Sequence, residues 1–175
     1  VRAGRCAVWR LIVGDEDAEL REERIDGKTV YAGRIRDLEV DRVLLPNGGE
    51  AFREVVRHPG AVVVLPLLPD GRVVFVRQHR YPTDEVLVEL PAGKLDSGEE
   101  PSGCAVRELE EETGWRAAKI GELGWFYTTP GFSDAVLNAF LATGLEAVSD
   151  HMPDEDEAID IVTWTERTYH RRRRQ

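Results

Sequence analysis

Three glutamates, Glu108, Glu111 and Glu112, have the types and spacing needed to hold a divalent cation. They fall in a stretch that predicts a helix over Pro101–Thr113, because proline suits the first helical position and Gly114 follows where a C-terminal cap belongs. On such a helix the three carboxylates share one face, within an arc of about 100°. Carboxylates this close repel each other at neutral pH, and their oxygens suit hard cations such as Mg²⁺. A solvated acidic face is the alternative for the helix taken alone.

The residues around these glutamates follow a fixed order and spacing. The pattern is Gly93, five residues, Glu99, seven residues, Arg107-Glu108, an apolar residue, any residue, Glu111-Glu112, any residue, Gly114 and a bulky apolar residue. This segment resembles the signature of the Nudix hydrolase family. The one departure is Trp115, where an aliphatic residue is more usual, and it keeps the bulky apolar character.

The resemblance implies a metal site that serves a diphosphate substrate. In this family the helix glutamates hold divalent cations, which implies Glu108 and Glu112 as the leading ligands. Glu111 would be a further ligand or a partner of the attacking water, and the family's backbone carbonyl ligand falls on Ala92. Mg²⁺ is the expected cofactor, with Mn²⁺ or another divalent cation as the alternative.

Four other residues of the signature would support these ligands. Arg107 would pair with Glu99 and orient the carboxylates, as groups behind a metal site commonly do. Gly93 and Gly114 would shape the backbone without touching substrate.

A second segment indicates the substrate class. Pro130 lies 16 residues beyond Gly114, and the sequence that follows it resembles the ADP-ribose pyrophosphatase subgroup. A plain Pro-Gly turn between two strands is the alternative. That subgroup places substrate-binding residues at Arg53, Glu54 and Arg80, and a guanidinium suits phosphate oxygens, although surface ion pairs would also explain these side chains.

The implied reaction is hydrolysis of ADP-ribose to AMP and ribose 5-phosphate. Three alternatives remain open. The substrate could be another nucleotide sugar or nucleoside diphosphate derivative, or the chain could be a non-catalytic module that senses ADP-ribose. Such a module would be marked by loss of the signature glutamates, all of which are present here. An enzyme for oxidised deoxynucleoside triphosphates is disfavoured by the Pro130 segment.

An acidic stretch, 153–158, precedes a predicted strand at Ile159–Trp164. A solvated loop is one interpretation. Relatives in the subgroup carry a flexible acidic loop at this point that closes over the metals, and this implies Glu155 as the catalytic base and Glu157 as an additional metal ligand. Glu111 is the alternative base.

These residues must be positioned by an α/β fold. The family resemblance implies an α/β/α sandwich with a mixed sheet, preceded by a small N-terminal antiparallel β unit. We expect the N-terminal unit over 1–57 and the Nudix domain over 58–175, divided at His58-Pro59-Gly60. The predicted strands are Ala7–Val13, Glu19–Ile25, Arg34–Leu45, Glu50–Arg57, Ala61–Leu68, Arg72–Gln78, Val86–Leu90, Ile120–Tyr127, Leu137–Ala142 and Ile159–Trp164, with a hairpin turn at Pro46-Asn47-Gly48-Gly49.

Composition excludes several classes of protein. The 175 residues carry a formal net charge of −10, which disfavours nucleic acid as a partner. The longest apolar run, Ala61–Leu68, is too short to cross a membrane, and no signal peptide is expected. Cys6 and Cys104 predict buried free thiols in a reducing cytoplasm.

The expected partners are a second copy of the chain and a small nucleotide substrate. We expect a homodimer because the N-terminal unit is too small for its own core and because relatives exchange N-terminal strands.

Overall fold

The computed structural model describes residues 19–34, 36–148, 158–165 and 168. The elements in chain order are β1 (Glu23–Ala32), β2 (Asp37–Leu44), β3 (Glu50–Arg57), β4 (Ala61–Pro66), β5 (Val73–Arg80), β6 (Glu85–Glu89), β7 (Ala92–Lys94), α1 (Pro101–Thr113), β8 (Trp115–Tyr127), β9 (Val136–Ala147) and β10 (Asp160–Trp164). The helix has the predicted bounds, while β8 and β9 are longer than the sequence predicts. The predicted strand Ala7–Val13 and the loop glutamates Glu155 and Glu157 lie outside the described residues.

The described residues form two compact units. The first contains the described residues up to Pro59 together with Phe126–Val136, and the second contains Gly60–Trp125 and the described residues from Leu137 onward. The sequence did not predict that the later segment packs with the first unit, because the pairing is between residues far apart in the chain. Val56 and Ser133, for example, form an isolated parallel bridge.

In the first unit, β1, β2 and β3 form an antiparallel sheet in that order. The predicted hairpin turn is confirmed, since the Leu45 and Gly49 backbones are hydrogen-bonded across it at 2.7 Å and Gly48 has φ +83°. The strand predicted at Glu19–Ile25 is wrong in its bounds. Asp26-Gly27 is a turn signal in sequence, yet β1 runs through it, paired with β2 on either side.

A side chain of the neighbouring strand lies over the glycine of this Asp-Gly pair. The carboxylate of Asp41 on β2 lies directly over Gly27, where a Cβ would sit 1.9 Å from Asp41 Oδ1. Asp41 is buried and pairs with Arg24 Nε at 2.9 Å. Glycine at position 27 therefore allows this close approach within the sheet, and a larger residue would displace the buried Asp41 carboxylate from its place beside Arg24.

The second unit contains a four-stranded sheet, β7-β4-β9-β8, and a three-stranded sheet, β10-β5-β6. Strand β4 pairs with β9 in parallel and with β7 antiparallel, so the predicted mixed sheet is confirmed. Helix α1 packs on the sheet through Ala105 and Leu109, which are fully buried with Val62 and Val64 of β4 in one core. A near-continuous apolar run such as 61–68 is typical of a strand buried on both faces, but alternate residues of β4 are only half-buried.

Helix α1 is held in place by local signals at both ends. Pro101 occupies the first turn, and Gly114 adopts the left-handed conformation (φ 64°) with its N–H bonded to the Glu110 carbonyl at 2.9 Å.

Cys104 of this helix is a buried free thiol, as predicted, and burial raises its pKa to about 12. The thiol therefore stays protonated at neutral pH. Cys6 lies outside the described residues. In the part of the chain that the structure describes, no helix is long and apolar enough to span a membrane.

Candidate active site

Arg107 lies at the centre of a cluster of carboxylates on and beside α1. Its Nε and Nη2 each donate to one oxygen of Glu99 at 3.0 Å, a bidentate pair. Its Nη1 donates to Glu108 at 2.9 Å and to Glu111 at 2.8 Å. One guanidinium thus orients three glutamates that are distributed over two segments of the chain.

Of these partners, Glu99 is the one that binds Arg107 through both carboxylate oxygens. The Arg107 guanidinium, together with the backbone N–H of Asp96 at 2.9 Å, lowers the pKa of Glu99 to about 2. The same pairing raises the pKa of Arg107 above its ordinary value. Both groups are therefore charged at neutral pH, and the pair anchors the loop that precedes α1.

The start of β7 brings two further groups to the same place. Glu112 is 4% exposed and accepts a hydrogen bond from the Ala92 N–H at 2.9 Å. The carboxyl group of Glu108 lies against Gly93, where a Cβ would be 1.8 Å from the Glu108 Cδ. Glycine leaves room for that carboxylate, and a larger residue at position 93 would displace it from this position. The helix glutamates and the Ala92 backbone are therefore neighbours although 15 or more residues separate them in the chain.

This arrangement fits a divalent cation by the chemistry of its donors. Glu108, Glu111, Glu112 and the Ala92 carbonyl offer hard oxygen ligands of the kind that Mg²⁺ takes. With Glu99 and Arg107 included, four carboxylates and one guanidinium carry a formal charge of −3. Among the described residues, no three acidic, histidine or cysteine side chains already surround a common point. Arg107 instead holds Glu108 and Glu111, so these two carboxylates would have to turn partly from it to bind a cation.

Glu110 on the same helix has a different environment. Its two carboxylate oxygens accept hydrogen bonds from Arg116 Nε and Nη2 at 2.7 and 3.0 Å, and this pairing lowers its pKa. Glu110 is thus a structural glutamate that ties the end of α1 to the start of β8. It provides an internal comparison for the glutamates next to Ala92.

The three predicted substrate-binding residues are divided between the two units. Arg80 lies on β5 in the second unit, and its Nε donates to Glu89 of β6 at 2.8 Å. Arg53 and Glu54 lie on β3 in the first unit, and Arg53 Nε donates to Glu22 at 2.9 Å. Each arginine therefore has an acidic partner in this structure, and a phosphate group would have to share or displace that partner.

Arg53 and Glu54 line a cleft of about 670 Å³ within the first unit. This volume falls in the range of about 300–1,000 Å³ typical of small-molecule sites. One wall is β3 and the other is the turn that contains Pro130. The lining residues are Glu22, Phe52, Arg53, Glu54, Val55, Tyr127, Pro130, Gly131, Phe132, Ser133 and Asp134.

Three aromatic side chains of this cleft were missed by the sequence analysis. Phe52, Tyr127 and Phe132 are 70%, 52% and 55% exposed, although large aromatic rings are ordinarily buried. The available signal was their position, since Phe52 adjoins Arg53 and Phe132 follows the Pro-Gly turn. These exposed rings line the same cleft as Arg53 and Glu54.

Comparisons with known proteins agree with this geometry. Residues 56–171 match the family model described as NUDIX domain. The chain is 44% identical to ADP-ribose pyrophosphatase of Bacillus subtilis (strain 168) over 83% of this chain and 80% of that protein. It is 40% identical to ADP-ribose pyrophosphatase of Mycobacterium tuberculosis (strain ATCC 25618 / H37Rv), over 84% and 72% of the two chains. A solved structure described as an ADP compounds hydrolase has the same fold, with a TM-score of 0.76 at 23% identity, over 89% of this chain and 85% of that one.

Proposed function

The chain belongs to the Nudix family, and from this premise we propose that it hydrolyses the diphosphate bond of ADP-ribose, so that one water molecule is consumed and AMP and ribose 5-phosphate are formed. The observation that carries the proposal is the junction of α1 with β7, where Glu108 and Glu112 lie against Gly93 and Ala92. The two relatives named ADP-ribose pyrophosphatase support this choice of substrate.

The chemistry requires a divalent cation, for which we propose Mg²⁺, with Mn²⁺ as the alternative. When bound, such a cation neutralises the diphosphate and makes a water molecule more acidic. Glu108, Glu112 and the Ala92 carbonyl would hold it, with Glu111 as a further ligand. Arg107, itself paired with Glu99, orients Glu108 and Glu111, while the Ala92 N–H holds Glu112. Gly93 leaves the space that the Glu108 carboxylate occupies.

Two further roles are proposed from the family resemblance for residues outside the described part of the chain. Glu155 accepts the proton of the attacking water, and Glu157 is an additional ligand. A glutamate carried on a loop can be withheld until substrate is bound, so that it does not add a permanent like charge to Glu108, Glu111 and Glu112.

The cleft of the first unit suits the nucleoside part of the substrate. The exposed rings of Phe52 and Phe132 can stack on a base, and Glu54 can accept hydrogen bonds from ribose hydroxyls. The guanidinium of Arg53 suits phosphate oxygens or the face of a base. We assign a phosphate-binding role to Arg80 as well, which would then share its guanidinium between Glu89 and the substrate.

A panel of substrates tests the proposal. Hydrolysis with Mg²⁺ should be compared for ADP-ribose, ADP-glucose, GDP-mannose, diadenosine polyphosphates and deoxynucleoside triphosphates, with products identified by chromatography. We expect the highest kcat/KM for ADP-ribose and equal amounts of AMP and ribose 5-phosphate. A higher kcat/KM for GDP-mannose or ADP-glucose would assign the chain to another nucleotide sugar. Binding of ADP-ribose without turnover would make it a sensing module.

We also propose that the protein is a homodimer. Every residue of β1 is exposed, including Ile25, Val30 and Tyr31, so this strand presents apolar side chains that a second copy could cover. Light scattering at micromolar concentration should give twice the mass of one chain. Tyr31→Asp should shift the mass toward a monomer, whereas Leu123→Asp, at an exposed apolar position of the second unit, should not. A monomeric wild-type protein with full activity would contradict the proposal.

A further inference from the structure

The turn that forms one wall of the cleft is fastened to the end of β3. The carbonyl of Phe132 accepts a hydrogen bond from the Val56 N–H at 2.8 Å, and the Ser133 hydroxyl donates to the Val56 carbonyl at 2.9 Å. One oxygen of Asp134 accepts from the His58 N–H at 2.9 Å, and the other accepts from Arg57 Nη1 at 3.2 Å. Three consecutive residues of the turn are thus bonded to three consecutive residues of the strand end.

Ser133 is the most enclosed member of this group. It is 9% exposed, and its hydroxyl also accepts a hydrogen bond from the Ala135 N–H at 3.2 Å. The N–H groups of Phe132 and Ser133 both bond to the Thr129 carbonyl, which closes the turn. The serine hydroxyl therefore joins two backbone groups, one in β3 and one in the turn, and no aliphatic side chain can replace it.

These hydrogen bonds restrain the backbone of Phe132. Its carbonyl is bonded to Val56 and its N–H to Thr129, so its backbone has little freedom, and this residue lines the same cleft as Phe52 and Arg53. The separation of the two walls is set by the bonds that hold the turn to β3. A planar group bound between them would be sensitive to that separation, because stacking contacts weaken within a fraction of an ångström of their optimum.

We propose that Ser133 and Asp134 are positioning residues that hold Phe132 at the correct distance from β3 and so set the affinity for the nucleoside part of the substrate. This proposal rests on the function proposed above for the cleft. The two residues act through Phe132 and need no contact with the substrate. Their loss should raise KM and leave kcat nearly unchanged, because the hydrolytic groups Glu108 and Glu112 belong to the other unit.

The two residues should differ in the size of their effect. Arg57 and Asp134 are both well exposed, so their ion pair is screened by solvent, and Arg57 keeps Glu39 at 2.8 Å when Asp134 is removed. The Ser133 hydroxyl is shielded from water, and its removal leaves two backbone groups without that partner. We therefore expect the larger change for Ser133→Ala.

Steady-state kinetics with ADP-ribose test the proposal. Ser133→Ala should raise KM by about tenfold and Asp134→Ala by about threefold, with kcat within about twofold of the wild type, as expected for the loss of one shielded and one exposed hydrogen-bonded group. Ser133→Thr, which keeps the hydroxyl, should restore most of the affinity. Asp26→Ala is the matched control, because it removes an ion pair to Arg42 in the same unit at 2.6 Å without touching the turn.

The outcomes separate this proposal from the one on which it rests. Wild-type protein that does not hydrolyse ADP-ribose, or Phe52→Ala and Phe132→Ala variants with unchanged KM, would overturn the assigned function of the cleft. If those two variants raise KM but Ser133→Ala and Asp134→Ala do not, only the positioning role is wrong. Equal losses in kcat and kcat/KM, together with a lowered melting temperature, would indicate partial unfolding and would also overturn it. Should Ser133→Ala fail to fold, Asp134→Ala decides the question.

Discussion

Glu112→Gln is expected to abolish nearly all hydrolysis while the fold remains intact. The carboxylate is 4% exposed and accepts the Ala92 N–H, and an amide oxygen can accept the same hydrogen bond at 2.9 Å. What the substitution removes is the negative charge next to the proposed cation. Loss of several kcal/mol of charge stabilisation corresponds to a fall in kcat of about three orders of magnitude.

The measurement is kcat at saturating Mg²⁺, with the melting temperature of each variant as a check on folding. Glu110→Gln is the matched control, because it makes the same change on the same helix at a glutamate that pairs with Arg116. We expect Glu110→Gln to keep near-normal turnover. If Glu112→Gln does so as well at saturating Mg²⁺, Glu112 is not a ligand and the metal site lies elsewhere.

Glu155→Gln should lower kcat by about two orders of magnitude or more, with little change in substrate affinity, because a general base acts mainly in the transition state. The substitution keeps the shape of the side chain and removes its ability to accept a proton. Single-turnover rates and KM for ADP-ribose give the two quantities separately. Asp156→Asn, a similar change in the same acidic stretch, is the control and should retain turnover.

Glu111 is the competing base. Its side chain is partly exposed, on the same helix as Glu108 and Glu112, and is held by Arg107 at 2.8 Å. If Glu155→Gln keeps kcat within about fivefold of the wild type while Glu111→Gln abolishes turnover, the base lies on α1 and the acidic stretch only covers the site. If Glu155→Gln abolishes turnover while Glu111→Gln keeps it, Glu155 is supported as the base.

Features that depend on neighbouring residues could be predicted from the sequence. Helix α1 has the predicted bounds because Pro101 and Gly114 act on the backbone at their own positions, whatever packs nearby. The hairpin turn at 46–49 is correct for the same reason. The common face of Glu108, Glu111 and Glu112 likewise follows from helical spacing alone.

Strand bounds could not be read in this way. Strand β1 begins at Glu23 and continues to Ala32, through an Asp-Gly pair that resembles a turn, because β2 supplies a pairing partner along its length. Strand β8 starts immediately after α1 rather than at Ile120, since its bounds are set by pairing within the sheet. Strand pairing is a property of two segments, and one segment carries only part of the information.

The sequence by itself determined the family, the helix and the glutamates that it carries, because a motif of short range encodes them. Only the tertiary structure decided that one guanidinium is shared by Glu99, Glu108 and Glu111, and that Glu108 fills the space left by Gly93. It also decided that the turn at Pro130 joins β3 to form a cleft with exposed aromatic walls. The longest of these contacts, between Ser133 and Val56, joins residues 77 positions apart, and the chain brings such residues together only when its whole core is packed.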